Sequence, residues 1–236
     1  MGHRLTLGSP PCYPTRMAWT LALRCLAIAC LSASPALAET PRWVTVSSRC
    51  FVSVDVDFAP GAFSGLGREV SGEFQANPRN LSDGVSGQLT VRVASLSTGL
   101  DGRDKEMMKA LAAERYPTMA FVIQAVSVSF PSVSEHTDVL LTIQGRLTIA
   151  GVDRVKRFSG RVRWKDHRLW VRGETRFKMT DFGIKPPTYL LLSVKDEVGV
   201  GFDLLLDPKD GSLQAPPPRP APVSPTRPPE AGPDLP

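Results

Sequence analysis

The sequence predicts an all-β protein, a closed antiparallel β-barrel with one short inserted α-helix. Three observations carry that expectation. Apolar residues recur at every second position in successive runs from Trp43 to Leu206, each bounded by Gly, Pro, Ser or Asp, the period of strands with one buried face. Only one segment, Asp101 to Arg115, departs from that period. Alternation over about seven or eight consecutive strands favours closure, which removes the edges an open sheet must protect.

Residues 1–38 contain no Asp or Glu. There Arg24 precedes the apolar run Cys25 to Leu31, followed by Ser-Ala-Ser-Pro and Ala36-Leu37-Ala38. This is the order of a secretory signal: basic region, short apolar stretch, small-residue cleavage site. The run is far below the roughly 20 residues that span a bilayer. Starting at Met17 would give a signal of 22 residues. The expected organisation is a signal peptide over 1–38, one folded domain over 39–207 and a proline-rich tail over 208–236, with the protein exported. Cys12, Cys25 and Cys30 fall in the leader, so Cys50 stands alone in the mature domain and no disulfide framework exists. Cys50 reads as a small buried hydrophobe at the start of a strand-like run.

Along the domain, Val52, Val54, Val56 and Phe58 alternate with Ser53, Asp55 and Asp57, and Leu89, Val91 and Val93 with Gln88, Thr90 and Arg92. From Asp101 to Arg115 the residues favour helix, and Met107, Met108, Leu111 and Ala112 share one face. That helix should end at Tyr116-Pro117, since proline pushes its predecessor out of the helical region. Leu141, Ile143, Leu147 and Ile149 then alternate with polar residues. Around Asp166 and His167 a hairpin is expected in which partner numbers sum to 333, pairing Trp164 with Leu169, Val162 with Val171, Gly160 with Gly173, and Phe158 with Thr175. The paired glycines leave a gap in the apolar face, marking either close approach of a ligand or backbone, or a bend at a barrel corner. The opposite face carries Arg157, Arg161, Arg163, Arg172 and Arg176, a stripe suited to an anionic membrane surface or to plain solvation. Val198, Val200, Phe202, Leu204 and Leu206 form the last inward face. The tail holds 11 of the 22 prolines and should be disordered with polyproline II character.

Charge and missing motifs exclude several functions. The whole chain has 28 basic and 23 acidic residues, but Arg4, Arg16 and Arg24 leave with the leader, so the mature chain carries about +2. That is not the footprint of a nucleic-acid binder. Outside the leader the histidines are His136 and His167 alone, both in expected turns, and there is no metal-ligand spacing, nucleophile elbow or phosphate loop. No catalytic residue, metal or cofactor is therefore expected, and an enzyme is disfavoured.

Four motifs, in order, resemble one family. Ser95 to Gly99 with Arg103-Asp104, and then Tyr116-Pro117-Thr118-Met119-Ala120-Phe121, resemble the helix insertion and following strand of the YceI family of periplasmic lipid-binding proteins. Gln144 to Val152 resembles its Gly-x-Leu-Thr-x-x-Gly-Val segment, and Asp181-Phe182-Gly183-Ile184 with Val194 to Val198 its closing strands. The opening differs, with Ser47-Ser48-Arg49-Cys50 in place of the family's His-Ser strand, as does Met179-Thr180 before Asp-Phe-Gly. The resemblance implies an elongated, lipocalin-like barrel whose interior holds a long isoprenoid chain of quinone or polyprenyl type. An alternating barrel must fill its interior with side chains or with a guest. Alternation and size select Phe121, Ile123, Leu147, Phe158, Val162, Phe177 and Phe202 as the wall of such a lipid cavity. Asp181, Phe182 and Gly183 read as a structural motif: the carboxylate ties the turn, the ring packs inward and the glycine permits the bend. The alternative is a filled barrel that binds a partner through the basic ribbon or the proline-rich tail.

Overall fold

The computed structural model describes residues 41–45, 48–58, 61–135, 137–189 and 192–209. The expected signal peptide, His136 and nearly all of the expected tail lie outside the described residues. In chain order the elements are β1 (Arg42–Thr45), β2 (Phe51–Phe58), β3 (Gly61–Gly67), β4 (Val70–Gln75), β5 (Ser86–Arg92), β6 (Leu96–Ser97), α1 (Asp101–Ala110), β7 (Thr118–Val128), β8 (Val139–Ile149), β9 (Val152–Lys165), β10 (Arg168–Lys178), β11 (Thr188–Tyr189) and β12 (Leu192–Pro208).

Eight strands close a ring in the order β1-β4-β5-β7-β8-β9-β10-β12, and β12 pairs back onto β1 through Thr45 opposite Leu206. All pairings are antiparallel. β12 is 17 residues long. One edge meets β10, while the other meets β1 at Leu206–Pro208 and β2 from Val194 to Asp203. Thus β1 and β2 are two pieces of one interrupted strand. β3 and β4, broken at Arg68-Glu69, and β5 and β6, broken by a 3₁₀ turn at Val93–Ser95, repeat the pattern. These breaks explain why more strands are present than the alternation predicts. They also split the barrel lengthwise. The ring containing β1, β4 and β5 is continuously hydrogen-bonded, whereas β2, β3 and β6 extend the wall at the other end of β12.

The continuous end is filled. Trp43 and Trp164 are fully buried and meet edge to face, with centroids 5.8 Å apart, and Trp43 Nε1 donates to the Ala76 carbonyl at 2.9 Å. Val133 and Val139 are buried as well. Cys50 is buried, its Sγ 3.4 Å from both the N and the O of Leu205.

The hairpin forms with the expected register from Leu169–Trp164 to Glu174–Ser159. Asp166 and His167 both have positive φ, 52° and 61°, the type I′ turn whose twist matches that of paired strands. Beyond Ser159 the strands part. The β9–β10 ladder ends at the Glu174–Ser159 pair, so the Phe158–Thr175 pair does not form; Phe158 keeps its partner Ile143 of β8, and Phe177 its partner Val198 of β12. A 3₁₀ turn at Met179–Phe182 packs there. Phe182 is buried against Phe177, with centroids 5.0 Å apart.

The helix is shorter than expected, ending at Ala110. Ala112 takes a left-handed φ of 48° and is exposed, leaving Met107, Met108 and Leu111 as the half-buried face. A left-handed residue just past a helix end satisfies its last carbonyls: the Leu111 and Ala113 amides donate to Met107 and Met108. The last strand runs through Pro208, one residue past the expected domain end, and the Lys209 amide donates to the Arg42 carbonyl at 2.8 Å.

Candidate functional site: an apolar cavity under the helix

The split end of the barrel encloses a cavity of about 770 Å³. Protein interiors close-pack and rarely keep voids larger than a water molecule. A space of this size is instead typical of small-molecule pockets, roughly 300 to 1,000 Å³. Its wall comes from the inward faces of β2, β5, β7, β8, β9, β10 and β12. Phe63 of β3 and Met107, Ala110 and Leu111 of α1 complete it. The helix covers the cavity with no fully buried residue, its half-buried Met107, Met108 and Ala110 packing against the core.

Of the expected wall residues, Phe121, Leu147, Phe158, Phe177 and Phe202 line this cavity. Ile123 and Val162 do not. They line a separate, wholly apolar void of about 70 Å³ nearer the tryptophans, which also touches Phe121, Phe202 and Leu89. Phe121, Phe158 and Phe202 stand in a chain of ring contacts, 5.0 and 5.5 Å between centroids. They form a floor between the two spaces. The glycine gap on β9 and β10 is explained by the same ring: a Cβ on Gly173 would lie 2.6 Å from the Phe202 ring. Its neighbour Gly160 accommodates the β10 backbone, since a Cβ there would be driven into the Arg172 carbonyl. An aromatic side chain, rather than a ligand, fills this gap.

Several wall residues escaped the sequence reading. Val52, Val54 and Val56 carried a usable signal in their alternation, but Phe63 lies in the run Gly-Ala-Phe-Ser-Gly-Leu-Gly, which has little strand propensity.

Charged groups are confined to the rim, where Arg103, Lys105, Glu106 and Lys109 of α1 border the opening. The Arg103 guanidinium stacks 4.0 Å above the Phe63 ring, and its Nε and Nη2 donate to the Thr98 hydroxyl and carbonyl at 2.8 and 3.1 Å. Asp104 accepts from the Thr98 amide and from the Ser97 hydroxyl, both at 2.8 Å. Burial pushes its pKa up, but the Thr98 and Ser97 hydrogen bonds and the nearby Arg103 charge outweigh that and hold it below the usual carboxylate value. Lys109 pairs with Glu106 at 2.6 Å.

Asp181 accepts from Lys156 Nζ at 2.6 Å, and this ion pair, with the Lys178 amide, holds its pKa low. Lys156 also lies 5.2 and 5.6 Å from the Phe177 and Phe182 ring centroids. Gly183 has φ 72°, ending the turn left-handed. The arginine ribbon is matched by acids of neighbouring strands: Arg161 and Arg163 with Asp138, Arg172 with Asp203, Arg176 with Glu197. Arg157 reaches the Gln144 side chain at 3.2 Å. Among the described residues no group of three or more His, Cys, Asp or Glu is placed to hold a metal ion.

A closed antiparallel barrel with a large apolar interior and a polar rim is a lipocalin-like architecture. The YceI-like domain model matches residues 43–206, and the chain belongs to that family. Similar solved structures include BcnA of Burkholderia cenocepacia, 20% identical, with a TM-score of 0.59 over 68% of this chain and 98% of that one. A polyisoprenoid-binding domain of Saccharophagus degradans, implicated in plant cell wall breakdown, is 15% identical, with a TM-score of 0.55 over 70% and 98%. No curated protein matches the chain.

Proposed function

We propose that this protein is an exported carrier that sequesters a long-chain isoprenoid lipid, of quinone or polyprenyl type, inside the barrel and releases it without covalent chemistry. The observation that carries this reading is the 770 Å³ cavity, whose wall is apolar from floor to rim. Burial alone supplies the affinity, at about 0.8 kcal/mol for each methylene removed from water. Phe121, Leu147, Phe158, Phe177 and Phe202 are the proposed tail contacts. Asp181 acts structurally in this scheme, pinning the Met179–Phe182 turn to β9 through Lys156 beside the wall. Family membership supports the periplasm as the place of action, reached through a signal peptide over residues 1–38.

The test is to purify the protein from its natural compartment, extract it with organic solvent and identify the extract by mass spectrometry. About one long-chain isoprenoid per protein is expected. An extract without stoichiometric lipid, together with failure of the stripped protein to take up an added polyprenol, would overturn the reading.

A further inference from the structure

A groove of about 530 Å³ lies on the outer wall, where β10, β12 and the start of β2 meet. Its apolar bed is Phe51, Leu205 and Trp170, half-buried side chains that alternate along their strands with the inward Val52, Leu204 and Leu169. None of the three reaches the cavity, which lies on the other side of the sheet. Trp170 is fixed in place: its Nε1 donates to Asp203, and Arg172, paired with the same carboxylate, stacks on the indole at 4.1 Å. Asp166 borders the groove at the hairpin turn and has no ion-pair partner among the described residues.

Strand β12 leads from this groove into the proline-rich segment. Arg168, which lines the groove, pairs with Asp207 at 2.6 Å, and two residues later the Lys209 amide donates to the Arg42 carbonyl. Both edges of β12 are taken there, by β10 and β1, and the inside is filled by the two tryptophans. A chain that turns back at this point has only the outer face to run over. Asp210-Gly211 is a turn signal, and six residues, 210–215, separate Lys209 from Pro216-Pro217-Pro218-Arg219-Pro220. Trp170 stands opposite Leu205, four residues before Lys209, or about 13 Å back along the strand. Six extended residues reach up to about 20 Å, enough to bring the prolines over the indole.

The chemistry of the two partners matches. Proline-rich chains favour the polyproline II helix, and aromatic-lined grooves bind it at little cost in chain entropy. With three residues per turn, Pro217 and Pro220 share one ridge, while Arg219 shares another with Pro216 and Pro222. Phe51, Leu205 and Trp170 suit the proline ridge, and Asp166 suits the guanidinium. We propose that residues 216–220 dock in this groove of their own chain, strapping the proline-rich segment to the outer wall. A short tether holds the segment at an effective concentration of roughly millimolar, so weak contacts suffice. The proposal goes beyond the carrier reading and does not depend on it.

The test uses the whole protein labelled with 5-fluorotryptophan and read by fluorine NMR, with Trp170→Phe identifying the Trp170 line. Pro217→Asp/Pro220→Asp, which leaves the folded domain untouched, should shift that line and leave those of the buried Trp43 and Trp164 in place. A synthetic peptide of residues 214–222 should return the line of the double variant toward its wild-type position. On the wild type the peptide should bind at least about tenfold more weakly, because the tethered segment competes. Uptake of the polyprenol geranylgeraniol should be the same in both proteins. A Trp170 line that is identical in wild type and double variant, or a peptide that fails to move it in the variant, overturns the docking. So does equal peptide affinity for the two proteins. A wild-type line that changes with protein concentration gives the groove to the segment of a second copy, and one that phosphatidylglycerol vesicles shift equally in both proteins gives it to a membrane; either result overturns docking within one chain. Loss of geranylgeraniol uptake in the double variant would place the segment at the cavity and not on the outer wall.

Discussion

Gly160 and Gly173 face each other across the β9–β10 ladder, but substitution should affect them differently. At Gly160 an added Cβ runs into backbone, the Arg172 carbonyl, which cannot move without breaking the ladder. At Gly173 it meets the rim of the Phe202 ring at 2.6 Å, and that ring has open cavity beside it. Gly160→Ala should therefore destabilise by about 3 kcal/mol, the upper end of overpacking. Gly173→Ala should cost about 1 kcal/mol and tilt Phe202 into the cavity, reducing lipid uptake. Thermal denaturation and lipid loading of both variants check this, and a Gly173→Ala protein as unstable as Gly160→Ala would contradict it. Both glycines and their pairing were legible in the hairpin sequence. What fills the gap was not, because the ring belongs to β12 and only the closed sheet brings it over β10. Arg103 is a similar case. Its motif was visible, but its fixed orientation depends on Phe63 and Thr98, which the fold supplies.

Among the elements, legibility followed contrast between faces. β8, alternating buried with less buried positions throughout, and β12, with Val198, Leu204 and Leu206 buried, were plain in the sequence. β3 and β4, with Gly61, Gly65, Gly67 and Gly72, were not. Alternation names the inward face and is silent on depth, which is why Ile123 and Val162 shared a face with Phe158 yet line the smaller void. The helix was recognised by composition, but its length was set by Ala112, whose left-handed turn carries the chain toward Tyr116. With only half-buried residues packed against the core, α1 has less apolar contact to lose on opening than the strands have. Its amides are expected to exchange with deuterium well before those of β8, and bound lipid should slow them, since the guest supplies the surface Met107 and Leu111 lack. Exchange in α1 as slow as in β8 without lipid, or unaffected by lipid, would rule out the helix as the moving cover.

On the scale of the whole molecule, the interior and the exterior are held by different forces. Inside, the contacts are apolar and do not titrate. Outside, acids and bases are paired across strands. Asp138 is kept below its ordinary pKa by the Arg163 hydrogen bond and the charges of Arg163 and Arg161. Lys156 does the same for Asp181, Thr180 for Asp196 and Lys209 for Glu73. Each of these groups binds its proton less readily in the folded chain than in the unfolded one. Their contribution is therefore complete above the unfolded value, near pH 4, and is lost as the pH falls through the lower folded values. Stability should be nearly flat from about pH 7 to 5 and fall steeply below about 4. Asp138→Asn should make the fall shallower, because one of the linked protons is gone. Burial of the tail has no such dependence, so retention of geranylgeraniol should follow the circular dichroism curve through the acid transition. Release of the alcohol while the barrel is still fully folded would show instead that protonation opens the cavity directly, and would contradict a cargo held by burial alone.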